Sequence, residues 1–395
     1  MLRPTAPARR SSPLVAPAPE WDELVPFQRP ELPPPAAIME YYALSEAASF
    51  YSNGGPCARL LTERLEAYLG GGAYCIPVSN CTTGLMVALR AACGTPDPRR
   101  RLVLTQSYSF TATACAIEWA GYEPVFVDIE PRAWHLDPGA LEAALERFDG
   151  QVAGVLACAT FGTAPPTAQR DAWRDACARH GVPLLLDSAP GFGALDEHDR
   201  PLGSQGETEI FSFHATKPFA IGEGGLIVTA DPDAAARIAR LVNFGLEPGT
   251  RSSGEVGFNA KLSELHAATA LAMLDRFDDA IARRRASAAR LRAAIAHESL
   301  TFQVAADRST WQVLPVLCAS PAMRAAIVAG APDHGIELRT MHDPPLHGHP
   351  AFADCRRDGL PVTEAAAGNA LVLPMANDLG DAAVERIAAL VASVR

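Results

Sequence analysis

From Tyr51 onward the chain alternates between amphipathic segments and short, uninterrupted apolar runs. The amphipathic period predicts helices over residues 57–69, 82–92, 110–120, 167–180 and 263–295, and over segments that Asp137-Pro138 and Asp231-Pro232 begin. The apolar runs predict strands over residues 74–78, 102–105, 124–128, 152–158, 184–187, 210–213 and 226–229. Short apolar strands between helices favour a largely parallel sheet with helices on both faces. The predicted fold class is therefore α/β.

The pattern divides the chain into three parts. Residues 1–36 contain ten prolines and are predicted to form an extended or disordered tail. Residues 37–285 are expected to form the large α/β domain, and residues 286–395 a smaller α+β domain. In the smaller domain we expect strands at 311–317 and 370–374, a helix at 322–330 and a last helix from Asp381. The three consecutive arginines at 283–285 are expected on a solvated face or an interface rim.

Composition narrows the function classes. The chain carries 34 Lys and Arg against 45 Asp and Glu, a formal net charge of −11, which argues against binding to nucleic acid or to an anionic membrane. No apolar run approaches the roughly 18 residues of a membrane span, and no secretory signal is expected. Nine cysteines at irregular spacing show no metal-binding pattern, so we expect reduced thiols, no metal and a cytoplasmic location.

Lysine is rare in this chain. Lys217 and Lys261 are its two lysines, and the other 32 of the 34 basic residues are arginine. Arginine stays protonated at any ordinary pH and cannot form a Schiff base, so an enzyme that needs one must keep lysine. Both lysines are therefore candidates for that chemistry.

Three strand ends carry candidate chemistry, because ligands of open α/β sheets bind at the carboxyl ends of the strands. Residues 79–84 place small hydroxyl residues at a helix N-terminus, which fits an anion site or an ordinary helix cap. Asp187 ends a buried strand and needs a partner, which is a protonated ring nitrogen, a helix N-terminus that it caps, or an internal ion pair. Lys217 follows a strand and precedes the glycine-rich residues 222–225. Together, these three features match what pyridoxal phosphate (PLP) requires.

Ordered motifs along the chain extend this match. They are YSNGGP at 51–56, VSNCTTGL at 78–85, YSFTAT at 108–113, PVFVD at 124–128, DSA at 187–189, FSFHATK at 211–217, GEGG at 222–225, GFNAKLSE at 257–264 and PPLH at 344–347. From about Ser49 to its C-terminus the sequence resembles the DegT/DnrJ/EryC1/StrS sugar aminotransferases, a family with the fold type I PLP architecture. The HATK form is similar to the branch that aminates dTDP-4-keto-6-deoxyglucose at C4.

The resemblance implies a role for each matched residue. Lys217 is the Schiff-base lysine and then the acid/base that moves the proton, and Asp187 pairs with the ring nitrogen. Phe110 stacks on the ring of the cofactor. The phosphate is held by the backbone at Cys81 and Thr82 and by Ser212.

The same resemblance implies a homodimer with shared active sites, since Asn259 reaches the phosphate of the other subunit. Lys261 is then a structural or interface lysine, and His214 and His347 lie near the substrate. The family commonly has Gly where Cys81 stands, and Gln or His where Pro190 stands. Proline cannot provide the hydrogen bond that this side chain usually makes near the phenolic oxygen of the cofactor.

The predicted function is amino transfer from an amino acid, glutamate, to a nucleotide-linked keto-deoxysugar. One alternative keeps the cofactor and changes the acceptor to a ketocyclitol or another natural-product ketone. A PLP-fold protein without turnover is also possible, and so is a cysteine desulfurase, although no loop cysteine has a motif that supports it. The deoxysugar dehydratases of the same fold are disfavoured, because by resemblance they carry His where this chain has Lys217.

Overall fold

The computed structural model describes residues 24–394. Their helices are α1 (Pro35–Ala48), α2 (Pro56–Leu69), α3 (Cys81–Cys93), α4 (Thr111–Trp119), α5 (Pro138–Arg147), α6 (Thr167–His180), α7 (Pro232–Val242), α8 (Glu264–Leu274), α9 (Phe277–Ile295), α10 (Pro321–Gly330), α11 (Pro361–Asn369) and α12 (Asp381–Ala392). The strands are β1 (Tyr74–Val78), β2 (Leu102–Gln106), β3 (Glu123–Val127), β4 (Val152–Cys158), β5 (Leu184–Asp187), β6 (Thr208–Ser212), β7 (Gly225–Thr229), β8 (Leu300–Phe302), β9 (Leu314–Cys318), β10 (Arg356–Arg357) and β11 (Ala370–Leu373).

The strands form two sheets. Eight of them pair in the order β1-β7-β6-β5-β4-β2-β3-β10, and β7 runs opposite to the other seven. The order β11-β9-β8 makes a small antiparallel sheet. The predicted α/β class with a mostly parallel sheet is confirmed. Among the described residues, no helix has both the length and the apolar character that a membrane crossing requires.

Alternate side chains of the central strands pack in two separate cores, one on each face of the sheet. Ile210 and Ile227 point to one face of the sheet and pack with α3 and α7. Phe211, Leu226 and Val228 point to the other face and pack with α2 and α8. Both faces are therefore buried under helices, which explains why these strands read as continuous apolar runs.

Helix α9 joins the two cores. Its N-terminal half, with Phe277 and Ile281, packs in the large core, and its C-terminal half, with Leu291 and Ile295, packs in a core around the small sheet. The boundary predicted at residue 285 falls inside this helix and stays a prediction. Within the part predicted as the smaller domain, Leu346, Phe352 and Leu360 pack on Ala114 and Phe126 of the large sheet region.

The single long helix predicted over residues 263–295 is wrong. Ser263 does cap the helix, and its Oγ accepts from the backbone N–H of His266. The helical path then breaks at Arg276, whose φ of −119° and ψ of 2° separate α8 from α9. No glycine or proline marks the break, and Phe277 is buried on the far side of it. The apolar period therefore continues across the break and conceals it.

The prediction for the arginine run at 283–285 also needs correction. Arg284 is buried, and its guanidinium donates to Asn377 Oδ1 (2.9 Å) and to the carbonyl of Trp311 (2.8 Å). Arg285 donates to the carbonyl of Gly193 (2.8 Å). These side chains connect α9 to backbone of both cores instead of lying free in solvent.

Residues 24–36 of the proline-rich tail are ordered. Its residues 1–23 lie outside the described residues. Val25 and Phe27 are buried, and the backbone N–H of Val25 donates to the carbonyl of Gly335 (2.9 Å). Pro35 begins α1, where its fixed φ suits the first helical turn. The proline content predicts disorder, but it does not account for Val25 and Phe27, whose burial holds this segment against the fold.

Glu264 connects three helices. Its buried carboxylate accepts hydrogen bonds from Ser45 Oγ (2.8 Å) in α1 and from the backbone N–H groups of Cys57 (2.7 Å) and Ala58 (3.1 Å) in α2. A Cβ at Gly55 would lie 2.6 Å from its carboxyl carbon, so this position requires glycine. The first turn of α2 is thus capped by a carboxylate from α8.

Replacing Glu264 by alanine is expected to destabilise the fold by about 3 kcal/mol, because each buried donor left without an acceptor costs about 1–3 kcal/mol. The measurement is the midpoint of chemical denaturation. Glu46→Ala, at an exposed position of α1, is the matched control and is expected to change stability by less than about 0.5 kcal/mol. An equal midpoint for Glu264→Ala and its control would contradict this role.

Candidate active site

The predicted strand-end residues come together at one edge of the large sheet. Asp187 ends β5, Ser212 ends β6, Lys217 follows in the next loop, and Cys81 begins α3. Cys81, Asp187 and Lys217 are close enough to interact electrostatically with one another. The order of the strands places these groups together because β5 and β6 are parallel neighbours.

Asp187 is a buried carboxylate with neutral hydrogen-bond donors. Its Oδ2 accepts from Thr113 Oγ1 (2.7 Å), and its Oδ1 accepts from the backbone N–H of Ala189 (3.2 Å). Burial raises the pKa of Asp187, while these two hydrogen bonds and the charge of Lys217 act in the opposite direction. A positive partner at this carboxylate would stabilise its ionised form, as the protonated ring nitrogen of PLP does.

Lys217 is half-buried in the loop between β6 and β7. Its Nζ donates to Gln312 Oε1 at 3.2 Å, and its backbone N–H donates to the carbonyl of His214 (2.8 Å). Burial lowers the pKa of the ammonium group, and Cys81 and Asp187 act to raise it. A lowered pKa increases the fraction of neutral amine, the form that attacks a carbonyl.

The N-terminus of α3 has the features of an anion site. Asn80 caps this helix, and its Oδ1 accepts from the backbone N–H of Thr83 (2.9 Å). The first-turn N–H groups of Cys81 and Thr82 have no carbonyl acceptor within the helix and are available to a phosphate. A Cβ at Gly225 would lie 2.8 Å from the backbone nitrogen of Cys81, so glycine allows β7 to approach this turn.

Phe110 and Ser212 are two further residues predicted to bind the cofactor. Phe110 precedes α4 and leaves 64% of its surface exposed, as a ring that faces a ligand must. Ser212 is buried, and its Oγ accepts from the backbone N–H of His214 (3.3 Å), which leaves its hydroxyl proton for another acceptor. Burial raises the pKa of the Cys81 thiol well above its ordinary value, so a small buried residue, not a reactive thiolate, stands at that position.

The histidines differ in their relation to Lys217. His214 is partly exposed, and its Nδ1 accepts from the backbone N–H of Thr216 (3.2 Å). His347 is bonded through Nδ1 to Ser107 Oγ (2.7 Å). His342, which lies outside the motifs quoted above, interacts electrostatically with Lys217, and burial lowers its pKa to about 4.

The two residues assigned to the subunit interface lie in one segment. Asn259 is exposed. Lys261 Nζ donates to Asn243 Oδ1 (2.9 Å) and lies 4.5 Å from the ring centroid of Phe244. Lys261 is thus held by local contacts, as a structural lysine, while the reach of Asn259 into another subunit stays a prediction.

Pro190 stands where the family resemblance leads us to expect a hydrogen-bonding side chain. Its carbonyl accepts from Thr310 Oγ1 (2.7 Å), and Thr310 is fully buried. A Cβ at Gly162 would lie 2.6 Å from that same Oγ1. The backbone at Pro190 is therefore fixed by Thr310 and packed tightly, although its side chain offers no donor.

Sequence reasoning missed Thr113, Gln312 and His342. Thr113 closes the quoted motif at 108–113, and its position in the first turn of α4 was a usable signal. Gln312 is 95 residues from Lys217 in the chain, and no local pattern indicates their contact. Among residues 24–394, no group of three or more His, Cys, Asp or Glu side chains is arranged to hold a metal ion.

The residues present fit PLP. A lysine amine of lowered pKa, a buried carboxylate without an ion pair among the described residues and free amides at a helix N-terminus match its aldehyde, ring nitrogen and phosphate. This fold and site define a PLP-dependent aminotransferase of fold type I. Residues 36–392 match the model of the DegT/DnrJ/EryC1/StrS aminotransferase family, and the chain belongs to that family.

Comparison with individual proteins gives the same family context. The chain is 35% identical over 371 residues to Protein Rv3402c of Mycobacterium tuberculosis, covering 93% of this chain and 89% of that protein. It is 34% identical over 251 residues to the L-glutamine:scyllo-inosose aminotransferase of Streptomyces griseus, covering 61% of this chain and 57% of that protein. DesI, solved in the presence of its TDP-sugar product, superposes with a TM-score of 0.83 at 32% identity, covering 93% and 92% of the two chains.

Proposed function

We propose that this aminotransferase moves an amino group from glutamate to the ketone of a nucleotide-linked deoxysugar. The observation that carries the proposal is the meeting of the Lys217 amine, the buried Asp187 carboxylate and the N-terminus of α3 at one sheet edge. The nearly full-length similarity to DesI supports a nucleotide sugar as the acceptor.

Lys217, Asp187 and Phe110 each have a separate role in the proposed reaction. When bound, PLP supplies a ring that withdraws electrons and stabilises negative charge at the substrate carbon. Lys217 would take the proton from that carbon of the donor and deliver it to the cofactor, and it would carry a proton in the opposite direction to the carbon of the ketone. Asp187 keeps the ring nitrogen protonated, and Phe110 packs on a ring face.

Binding and orientation fall to the surrounding groups. The phosphate is held by the backbone N–H groups of Cys81 and Thr82 and by the free hydroxyl proton of Ser212. His214 and His347 are proposed to face the sugar. Their Nδ1 atoms are hydrogen-bonded to Thr216 and Ser107 respectively. Their Nε2 atoms lie 3.7 Å from Glu223 and Glu364.

We further propose a homodimer whose two sites are shared. Exposed apolar side chains lie in and beside the segment that carries Asn259. They are Phe50, Tyr51, Phe244, Val256, Phe258 and Leu265, with Val256 82% exposed. A second copy of the chain would bury them and bring its own Asn259 to the phosphate.

All nine cysteines are free, and the cytoplasmic location stays a prediction.

A second acceptor class has its own support. The Streptomyces griseus relative is named for scyllo-inosose, a ketocyclitol, and for L-glutamine as the donor. That match covers a smaller share of this chain than the match to DesI. We therefore rank a ketocyclitol second, and glutamine second as donor.

The visible absorbance of the PLP-loaded protein tests the function. Adding glutamate or glutamine is expected to remove the band of the lysine-bound cofactor, and adding the correct ketone restores it. Restoration by a nucleotide-linked 4-keto-6-deoxysugar supports the proposal, whereas restoration by scyllo-inosose alone supports the second candidate. A band that ignores every donor would leave a PLP-binding protein without turnover.

The shared site predicts complementation between two impaired variants. Asn259→Ala and Lys217→Ala homodimers are each expected to have low activity. Subunits mixed and reassembled in equal amounts form half heterodimers, each with one complete site, so about a quarter of the wild-type activity is expected. Activity that stays at the level of the separate variants after subunit exchange would contradict a shared site.

A further inference from the structure

Gln312 is the hydrogen-bond partner of the candidate reacting amine. In the described part of the chain, its Oε1 is the acceptor for Lys217 Nζ, at 3.2 Å. Gln312 is 5% exposed and lies just before β9, the central strand of the small sheet. The amine of the large domain is thus held by a side chain that the small domain carries.

The backbone at Gln312 is itself fixed by a buried guanidinium. Arg284 donates to the carbonyls of Trp311 (2.8 Å) and Gln312 (3.4 Å). Arg284 also donates to Asn377 Oδ1 (2.9 Å), and Asn377 Nδ2 donates to Glu31 Oε2 (2.7 Å). This chain of bonds joins α9, the small domain and the N-terminal segment behind Lys217.

A polar cavity lies along this chain of bonds. Lys217, Gln312, Arg284, Glu31 and Asn377 line it together with neighbouring residues. An amide oxygen is a suitable partner for the amine here, because it stabilises the ammonium form without adding a negative charge. A carboxylate in its place would hold the proton more strongly and leave less neutral amine.

We propose that Gln312 is a positioning residue, whose side-chain carbonyl holds the amine of Lys217 whenever that amine is not bonded to the cofactor. The inference rests on the proposed role of Lys217 as the reacting amine. In this role Gln312 keeps the amine at a fixed place beside Asp187 and ready to exchange a proton. It does not itself touch the reacting atoms.

Several charged or titratable groups face Lys217 and must be considered in any titration. Cys81 comes from α3, Asp187 from β5 and His342 from the loop before residues 344–347. Glu31 and Arg284 line the same cavity. Gln312 itself is neutral. Replacing it by a charged or an apolar side chain therefore changes its own effect on the pKa of Lys217, while the effects of the five charged or titratable groups remain.

The test uses the fact that the chain has two lysines. Lysine labelled with ¹³C at the ε-carbon gives two NMR signals, and each can be titrated in the full chain without cofactor. Gln312→Leu removes the acceptor and is expected to lower the pKa of Lys217 by about one unit. Gln312→Glu keeps the shape, adds a negative charge and is expected to raise it by at least as much.

The signal of Lys261 is the internal control. Lys261 donates to Asn243, whereas Gln312 is the partner of Lys217. The titration of Lys261 is therefore expected to stay unchanged in both variants and to report an intact fold. The pH midpoint for covalent attachment of PLP to Lys217 is expected to move in the same directions. Shifts of equal sign in the two variants, or none, would overturn the positioning role.

The proposal and the proposed function fail in different ways. If PLP did not attach to Lys217 in the wild-type chain, the function would be wrong, whatever the NMR titration showed. If PLP attached normally but neither Gln312 variant moved the Lys217 titration, the positioning role alone would be wrong. Should Gln312→Leu fail to fold, the near-isosteric Gln312→Glu still gives the decisive direction.

Discussion

Lys217→Ala is expected to reduce amino transfer by about 10³-fold or more, because the general acid/base that moves the proton is lost together with the covalent attachment of the cofactor. The measurement is single-turnover amino transfer from glutamate by the PLP-loaded protein. A second readout is the mass of the peptide that contains residue 217 after borohydride reduction. We expect the mass of the cofactor on this peptide in the wild type and not in the variant.

The second lysine supplies a matched control for this prediction. Lys261→Arg keeps a cation over Phe244 and a donor to Asn243, so it is expected to retain activity and cofactor attachment. Lys217→Arg keeps a positive charge but cannot form the covalent bond, and it is expected to be as inactive as Lys217→Ala. Full turnover by Lys217→Ala would disprove the assignment of the reacting amine.

Asp187→Asn is expected to weaken PLP binding by roughly 10²- to 10⁴-fold and to lower turnover as well. The asparagine has nearly the same shape, but it removes the buried negative charge that pairs with the ring nitrogen. Loss of one partner from a buried charge pair costs about 3–5 kcal/mol. The measurement is the dissociation constant of PLP from titrations followed by absorbance.

Asp231→Asn is the matched control, since Asp231 is an exposed helix cap and asparagine caps nearly as well. It is expected to leave PLP affinity unchanged. Thermal melting of both variants without cofactor checks that each is folded. A folded Asp187→Asn variant that binds PLP as the wild type does would show that this carboxylate does not pair with the ring nitrogen.

Much of the structure around the large sheet could be predicted from sequence because its signals are local. Buried strands read as continuous apolar runs, and caps such as Asp137 and Asp231 bond to amides two or three residues away. The break at Arg276 could not be predicted, because no glycine or proline marks it and apolar residues continue on both sides. The order of residues 24–36 was missed because two buried side chains outweigh the prolines around them.

The same distinction between local signals and long-range contacts applies to the candidate site. The residue types at Asp187 and Lys217 follow from chemistry at strand ends, and the resemblance to a family adds Phe110 and Asn259. Contacts that link distant parts of the chain leave no local pattern. Gln312 reaches Lys217 and Thr113 reaches Asp187 only once the chain is folded, so these partners required the structure.

The N-terminal segment sets a limit on how far the chain can be shortened. Proline-rich ends are natural places to trim a protein before crystallisation or to attach a tag. Starting this chain at residue 37 would remove the buried side chains of Val25 and Phe27 and the Glu31 carboxylate that bonds Arg276 and Asn377. An engineered form therefore has to keep residues 24–36, and with them the wall behind its candidate reacting lysine.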